Sequence, residues 1–505
     1  MKYVLTPTQM READQFTIEN LGVPALQLME RAGCALFHQA KLLAPTGKIL
    51  LVAGGGNNGG DGFVAGRKLL LDGREVDAVL LSKQCTHECE LNLSEYLMNG
   101  GTLHDEIPEK DYALVLDCLF GTGYRYREDE RIEAAIRKMN ALKRRGAKIL
   151  SADLPSGVNG ENGIVEGVAV DADVTLCIGE IKTGAVLGDG MDYSGALVRA
   201  DIGIVLPSFD ENGNGYAHIL EDVEISALIP KRKRNSHKGN YGRATIVAGS
   251  EKYTGAAYLS TAAALRSGAG YTSLFTPSAL LPLYALKLPE VLLSALNEGG
   301  RVAFNEASYA QIPHGAVAYG MGMETSEAVA QGAEYLLSHH VGTLILDADA
   351  LNSLAQYSFN RFAEIFAKKT CEVIITPHAK EFARLLQTDV KTVLTHGLSL
   401  ASEFALRYGV TVLLKGAATI ITDGTRTAIN VTGTAGQATG GSGDVLSGAI
   451  AGLCACSLSA FDGACAAAFL CGRAAELVTA EIGEYSLTPT DVIATLGRAF
   501  LSIRS

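Results

Sequence analysis

The run Thr439-Gly440-Gly441-Ser442-Gly443-Asp444, followed by Val445-Leu446-Ser447-Gly448, has the clearest chemistry in this chain. Glycines let a backbone close around an anion. The small, apolar residues that follow predict a helix whose first amides face the same point. Free N–H groups and the helix dipole stabilise charge developing on a transferred phosphoryl group. Asp444, at the helix start, can accept the proton of a substrate hydroxyl. A glycine-rich turn with an aspartate cap has the same short sequence, so neighbouring strand ends must separate the two. One carries Lys415-Gly416-Ala417-Ala418-Thr419. Another carries Thr376-Pro377-His378 with Glu381 nearby, and a third carries Asp347, Asp349 and Asn352 in LDADALN. No G-x-x-x-x-G-K-[ST] run occurs, which excludes a Walker loop.

A second constellation lies nearer the N-terminus. Gly54, Gly56 and Gly59 satisfy the G-x-G-x-x-G spacing after a predicted strand. A dinucleotide-binding dehydrogenase would then place an acidic residue about 20 positions on, to hold a ribose. Here that strand ends Leu80-Leu81-Ser82-Lys83, and the loop carries Asn57, Asn58 and Asp61, so the dehydrogenase reading fails. Asp117 precedes Phe120-Gly121-Thr122-Gly123, and Asp153 precedes Pro155-Ser156-Gly157. Ligands of open parallel sheets bind at the carboxyl ends of the strands. Asn58, Asp117 and Ser156 offer hard oxygens suited to an alkali cation. One such aspartate alone would read as a turn cap; three strand ends together with NNGGDG favour a site. Cys85, His87 and Cys89 do not have a zinc spacing and read as a surface loop.

These residues need a framework. Short β-rich runs alternate with helical patterns in two series, KILLVAG to VTLCIG (48–179) and ATIVAG to TVLLKG (244–416). The fold class is α/β, with mostly parallel sheets covered on both faces. Residues 8–43 read as helical, and a helix is expected over Phe63 to Leu71. The polar stretch PSFDENGNGYAHILED reads as a linker, giving domains at 1–215 and 225–505. At 505 residues with 48% hydrophobic content, the chain has material for two cores. The net charge of −12 argues against nucleic-acid and anionic-membrane partners. Ten scattered cysteines read as thiols in a reducing compartment, and no apolar signal core opens the chain, so a cytoplasmic enzyme is expected. The small-residue stretch Val445 to Leu470 reads as buried helices. Self-association is expected from exposed helices of packed αβα layers.

NNGGDGFVAGR, DCLFGTG and DLPSG resemble the epimerase domain of bifunctional NAD(P)H-hydrate repair enzymes, which act on NADH or NADPH carrying an added water. His237-Lys238-Gly239, Tyr253-Thr254-Gly255-Ala256, LDADALN, TPH, LLKG and ATGGSGDVLSG resemble the dehydratase domain of the same family, in the same order. The resemblance implies two αβα three-layer domains, the first Rossmann-like and the second ribokinase-like. It implies potassium at Asn58, Asp117 and Ser156. It puts the hydrate at Asn57, Asn58, Gly59, Gly60 and Asp61, at Gly121, Thr122, Gly123, Tyr124, Arg125, Tyr126 and Arg127, and at Asp153. In the second domain it puts the hydrate at Ala256, Gly322, His378 and Asp444. ADP or ATP, with magnesium, falls at Lys415, Gly416, Ala417, Ala418 and Thr419, at Thr434, Ala435, Gly436, Gln437 and Ala438, and at Thr439, Gly440, Gly441, Ser442 and Gly443. Two positions depart from the family: Ala379-Lys380 stands where Pro-Gly is usual, and Gly320-Met321-Gly322 where Gly-Pro-Gly is usual. On this reading Asp153 is the acid–base group that interconverts R and S hydrates. Asp444 deprotonates the hydrate hydroxyl for phosphoryl transfer, and loss of phosphate then restores NAD(P)H. The alternative is a small-molecule kinase, of a vitamin or sugar, with an N-terminal binding module.

Overall fold

The computed structural model describes residues 1–207 and 215–504. The chain divides into two compact units, Lys2–Tyr216 and Ala217–Ser505, the second also taking Met1. Residues 208–214 of the stretch read as a linker lie outside the described residues; Ala217–Ile219, within the same stretch, is a strand that pairs in parallel with Thr427–Asn430.

The first unit has a seven-stranded, wholly parallel sheet. Across the sheet the strands are Thr102–His104, Val76–Leu80, Ile49–Ala53, Leu114–Cys118, Lys148–Ala152, Val174–Ile178 and Ala196–Ala200. Ile49–Ala53 is buried throughout, and its residues alternate between two cores. Ile49, Leu51 and Ala53 join Leu36 and Phe63 on one face, while Leu50 and Val52 join Ile136 and Met139 on the other. Burial on both faces explains why these strands read as unbroken apolar runs. The two edge strands are short or partly exposed and lack that signal. Lys2–Leu5 pairs in parallel with Ile181–Lys182, which brings Lys182 beside Leu5.

The expected helix at Phe63 begins six residues earlier, at Asn57, so NNGGDG forms its first turns and not a free loop. Glycine is a poor helix former, but packing overrides propensity here. A Cβ on Gly59 would stand 1.9 Å from the Gly54 carbonyl oxygen, one on Gly60 2.6 Å from Met29 Sδ, and one on Gly62 2.8 Å from Cys118. The helix can lie this close only because those side chains are missing.

In the second unit the sheet runs Leu292–Ala295, Tyr271–Thr276, Arg243–Val247, Gly315–Tyr319, Gly342–Leu346, Glu372–Ile375, Thr411–Leu414, Thr419–Thr422, Thr427–Asn430 and Ala217–Ile219. Thr419–Thr422 is antiparallel to both of its neighbours. This hairpin is not apparent in the sequence, because strand–helix alternation stops at Leu414. The helices Ser442–Ala455 and Ala460–Ile482 belong to the core on one face. Ala460–Ile482 is long and apolar enough to cross a membrane, yet 72% of its most apolar window is buried inside this unit. The expectation of buried helices there therefore agrees with the packing.

The helix Ser442–Ala455 rests on Thr254–Arg266 through small residues: a Cβ on Gly448 would meet the Ser260 carbonyl oxygen at 1.9 Å. Gly448→Ala should therefore force the two helices apart and destabilise this unit by ~1–3 kcal/mol. Chemical denaturation of wild type and variant would check this, and an unchanged midpoint would contradict it.

Candidate active sites

In the first unit the helix after Ile49–Ala53 packs on one face and the helix after Leu114–Cys118, Glu130–Arg144, on the other. Strands that diverge in this way open a crevice at their carboxyl ends. A cavity of 1030 Å³ lies there, lined by Asn57, Asn58, Asp61, the whole stretch Gly121 to Arg127, and Asp153. Gly59 and Gly60 do not line it; they sit in the helix as spacers against Gly54 and Met29. The helix Asn57–Leu71 is capped by Gly56, with no side-chain hydrogen bond to its first amides, so they remain available to an anion.

Asp117 is fully buried and accepts hydrogen bonds from Ser151 Oγ at 2.8 Å, Ser156 N at 2.9 Å and Ser156 Oγ at 2.6 Å. It thus braces the turn at Ser156, as a structural aspartate would. Burial pushes its carboxyl above the ordinary range, against the pull of those hydrogen bonds. Asn58 Nδ2 donates to the Phe120 carbonyl at 2.9 Å, and the Phe120 amide donates to Ser156 Oγ at 3.0 Å. Asn58 Oδ1 is buried and has no hydrogen-bond partner. An orphaned amide oxygen linked through Phe120 to Ser156, itself bonded to a buried carboxylate, is a donor set that fits an alkali cation.

Asp153 has φ 69, in the left-handed region that a non-glycine residue rarely adopts. Its Oδ2 accepts from the Thr122 amide at 3.2 Å, tying two strand-end loops together. Its Oδ1 pairs with Lys182, which is 1% exposed and also lines the cavity. Asp14, from the capped helix Pro7–Gln15, lines it too. The motif reading does not include Lys182 and Asp14, because neither lies in a glycine-marked turn. The one signal for Lys182 in the sequence is a lysine just beyond the strand end at Ile178.

The pattern C85-x-H87-x-C89 makes no metal cluster among the described residues. Thr86 caps a helix there and the Cys89 thiol lies 3.8 Å from the Gly54 carbonyl oxygen. All ten cysteines are free.

In the second unit Gly441, at φ 103, caps the helix Ser442–Ala455 without any side-chain bond. Asp444 is the third residue of that helix, so it is not the cap, and the reading of a simple capped turn falls away. Lys415 Nζ pairs with Asp347 Oδ1 at 2.8 Å and lies 3.9 Å from Glu381 Oε2. Ser447 Oγ, one turn past Asp444, donates to Asp347 Oδ2 at 2.7 Å. A Cβ on Gly443 would meet Lys415 Nζ at 3.4 Å, so Lys415 reaches the glycine turn. Burial first, then the Asp347 charge, pushes the Asp444 carboxyl up to about 7, with Lys415 opposing. Burial pulls the Lys415 ammonium down, but Asp347 and Glu381 outweigh it and hold it above the ordinary lysine value.

His378 caps the helix Ala379–Leu385. Its Nδ1 accepts from the amides of Lys380 and Glu381, and its own amide donates to Glu381 Oε2 at 2.9 Å. With Nδ1 accepting, the ring proton belongs on Nε2. His378 also bridges Lys415 across the strand ends. Gly322, at φ 63, abuts Ala256: a Cβ there would come 2.8 Å from the Ala256 Cβ. The departing residue Met321 is fully buried, whereas Lys380 is exposed at the start of the His378 helix. The stretch 415–419 turns through Gly416 and Ala417 into the hairpin, and Thr419 Oγ1 donates to the Gly416 carbonyl at 3.3 Å. Ala435–Gln437 form a short 3₁₀ turn, with Gln437 Oε1 accepting from the Thr434 amide at 3.3 Å. Ala438, Thr439 and Gly440 are exposed or half-buried, and a Cβ on Gly440 would meet nothing within 4 Å.

A family model described as NAD(P)H-hydrate dehydratase matches residues 244–498, and one described as YjeF-related protein N-terminus matches residues 25–184. Over nearly its whole length the chain is similar to proteins named bifunctional NAD(P)H-hydrate repair enzyme. It is 34% identical to that of Methanothermobacter thermautotrophicus, covering 97% of this chain and 94% of the relative. It is 32% identical to that of Escherichia coli, covering 97% and 92%. A solved structure of the ADP/ATP-dependent NAD(P)H-hydrate dehydratase of Bacillus subtilis, co-crystallised with ATP and Mg2+, matches with a TM-score of 0.51 at 30% identity. That match covers 57% of this chain and 99% of the other. With a phosphate-type helix terminus in one unit, a polar crevice in the other and full-length relatives of this kind, the chain belongs to the family of bifunctional NAD(P)H-hydrate repair enzymes.

Proposed function

We propose that the two units catalyse successive steps on hydrated NADH or NADPH. The first interconverts the R and S hydrates. The second transfers a phosphoryl group from ADP or ATP to the hydroxyl of the S hydrate and releases inorganic phosphate and NAD(P)H. The observation that carries this reading is Asp444 standing inside an uncapped helix terminus, next to Lys415 and its partner Asp347. Hydroxide is a poor leaving group and phosphate a far better one, which is why a nucleotide is needed. Asp444 takes the hydroxyl proton. The amides of Gly440 to Gly443 stabilise the phosphoryl group in transit, and Lys415 orients the nucleotide phosphates. The ring nitrogen lone pair then expels phosphate, and the resulting iminium loses a proton from the adjacent ring carbon to solvent, giving NAD(P)H. Magnesium, when bound with the nucleotide, supplies charge screening of the phosphates. Asp347 is bonded to Lys415 and Ser447 and Asp349 to the Glu324 amide, and the described residues hold no group of three such side chains placed for an ion, so magnesium would arrive on the nucleotide.

In the first unit Asp153 is the acid–base group, held over the cavity by its ion pair and by the Thr122 amide. Asn58, Asp117 and Ser156 would hold potassium, whose charge would suit the orphaned Asn58 oxygen. The small-molecule kinase reading differs in one observable, a phosphorylated product that persists.

Recovery of near-ultraviolet NADH absorbance from mixed R and S hydrate should be complete and should require ADP or ATP, with one phosphate released per NADH. Recovery that halts once the S form is used up would remove the epimerase assignment. A stable phosphorylated product would favour the kinase. Asp444→Asn should lower dehydration by about 100-fold or more while nucleotide binding, followed by calorimetry, persists. Because Asp444 acts as a base only when ionised, kcat/KM of dehydration should climb with pH up to about 7 and level off above it; a profile flat from pH 5 to 8 would contradict the role. Asp153→Asn should abolish R-to-S interconversion yet leave dehydration of pure S hydrate intact, measured on one preparation.

A further inference from the structure

Among the ionisable groups that line the cavity of the first unit, Asp14, Asp61, Asp153 and Lys182 act on one another, and these four do not balance. Lys182 is the one buried ammonium among them. Facing it are Asp153 from the end of Lys148–Ala152, Asp61 from the helix Asn57–Leu71, and Asp14 from the helix Pro7–Gln15, all lining the same space. Lys182 is committed to Asp153, and it also donates to the Ile178 carbonyl. Arg11, Arg125 and Arg127 also line the cavity, with Glu128, Asp129 and Glu133, but none of these arginines pairs with Asp61 or Asp14 among the described residues, and Arg11 donates to Thr8 Oγ1. Glu180 pairs with Arg199 at 2.7 Å, and burial pushes the Cys177 thiol up to about 12. Among the described residues, Asp61 and Asp14 are thus left without a cation of their own. Burial, then the charges of Asp153 and Asp14, hold the Asp61 carboxyl far above the ordinary range, and burial holds that of Asp14 at about 6. A buried carboxyl pushed toward its protonated form and an ion-paired carboxylate facing one cavity are the two halves of an acid–base pair.

We propose that Asp61 is the proton donor of the epimerase and that Lys182 is the positioning residue that holds Asp153 as its proton acceptor. This rests on the epimerase reading above. The hydrate carries its hydroxyl on a ring carbon whose positive charge the ring nitrogen can bear. Asp61 gives its proton to that hydroxyl as the carbon–oxygen bond breaks with both electrons going to oxygen. Water leaves, and a carbon–nitrogen double bond forms from the nitrogen lone pair. Water then adds to the opposite face, its oxygen pair forming the new bond and its proton passing to Asp153. The result is the other epimer with one proton moved from Asp61 to Asp153. Return of that proton, through solvent in the cavity, resets the site, and no oxidant or co-reactant is consumed. Lys182 also acts on geometry. Asp153 keeps a strained backbone at φ 69, and the ion pair with Lys182, together with the Thr122 amide, fixes its carboxylate over the cavity.

The test is the R-to-S interconversion rate of the purified full chain at several pH values, with dehydration of pure S hydrate and a melting curve taken on each sample. Lys182→Met should lower kcat of interconversion at least about 100-fold with KM within about threefold, and should shift the limb set by Asp61 upward, because the ammonium that opposed its protonation is gone. Lys182→Arg, which keeps the charge, should restore part of the rate. Asp61→Asn keeps the shape of the side chain and removes its acidic proton, so it should melt with wild type while losing interconversion at least about 100-fold. Full-rate interconversion by Lys182→Met or by Asp61→Asn overturns the assignment alone. A wild-type chain that leaves R hydrate untouched overturns the epimerase reading and this assignment with it.

Discussion

In each unit a lysine, buried at 182 and half-buried at 415, faces more carboxylate charge than one ammonium can neutralise. Lys415 pairs with Asp347 and lies near Glu381, leaving Asp444 uncompensated. Lys182 pairs with Asp153, leaving Asp61 and Asp14 uncompensated. Water would dissipate such an excess at a surface, but at a buried site the response of lowest free energy is to keep a proton. The surplus carboxyl group is therefore the one held above the ordinary carboxylate range and able to give or take a proton, and the paired one is the one held in place. Proton chemistry thus follows from the charge count before any substrate is considered.

Both excesses depend on backbones that approach closely enough to exclude water. The helix Asn57–Leu71 lies against its preceding strand because Gly59 and Gly62 present no side chain. The helix Ser442–Ala455 lies against Thr254–Arg266 for the same reason at Gly448. In both cases the uncapped amino end of the close-packed helix points its amides toward the ligand side of a parallel sheet. Glycines that look like loop residues therefore serve two purposes, close packing behind the site and access to amides in front of it.

The two chemistries complement one another. A dehydratase that binds a chiral hydrate accepts one hand, and damage by water addition yields both. An epimerase on the same chain keeps the unusable hand from accumulating. Relatives named as bifunctional that cover 97% of this chain fit a joint function for the two units.

Sequence alone determined the alternation of strands and helices, the strand ends that carry chemistry, and the motifs at Asn57–Asp61, Asp117, Asp153, Lys415 and Gly440–Asp444. Each of these is a local pattern: both-face burial makes apolar runs, and tight turns need glycine. Tertiary structure decided what local pattern does not encode. It put NNGGDG inside a helix, because contacts with Gly54, Met29 and Cys118 outweigh glycine's poor helix propensity. It formed the hairpin Thr419–Asn430 on the sheet beyond Leu414, where alternation had ended. It brought Lys182 and Asp14, from distant parts of the chain, to Asp153, and Asp347 to Lys415 across 68 residues. Long-range charge pairing leaves no periodicity in a sequence, because it depends on which side chains the fold buries together.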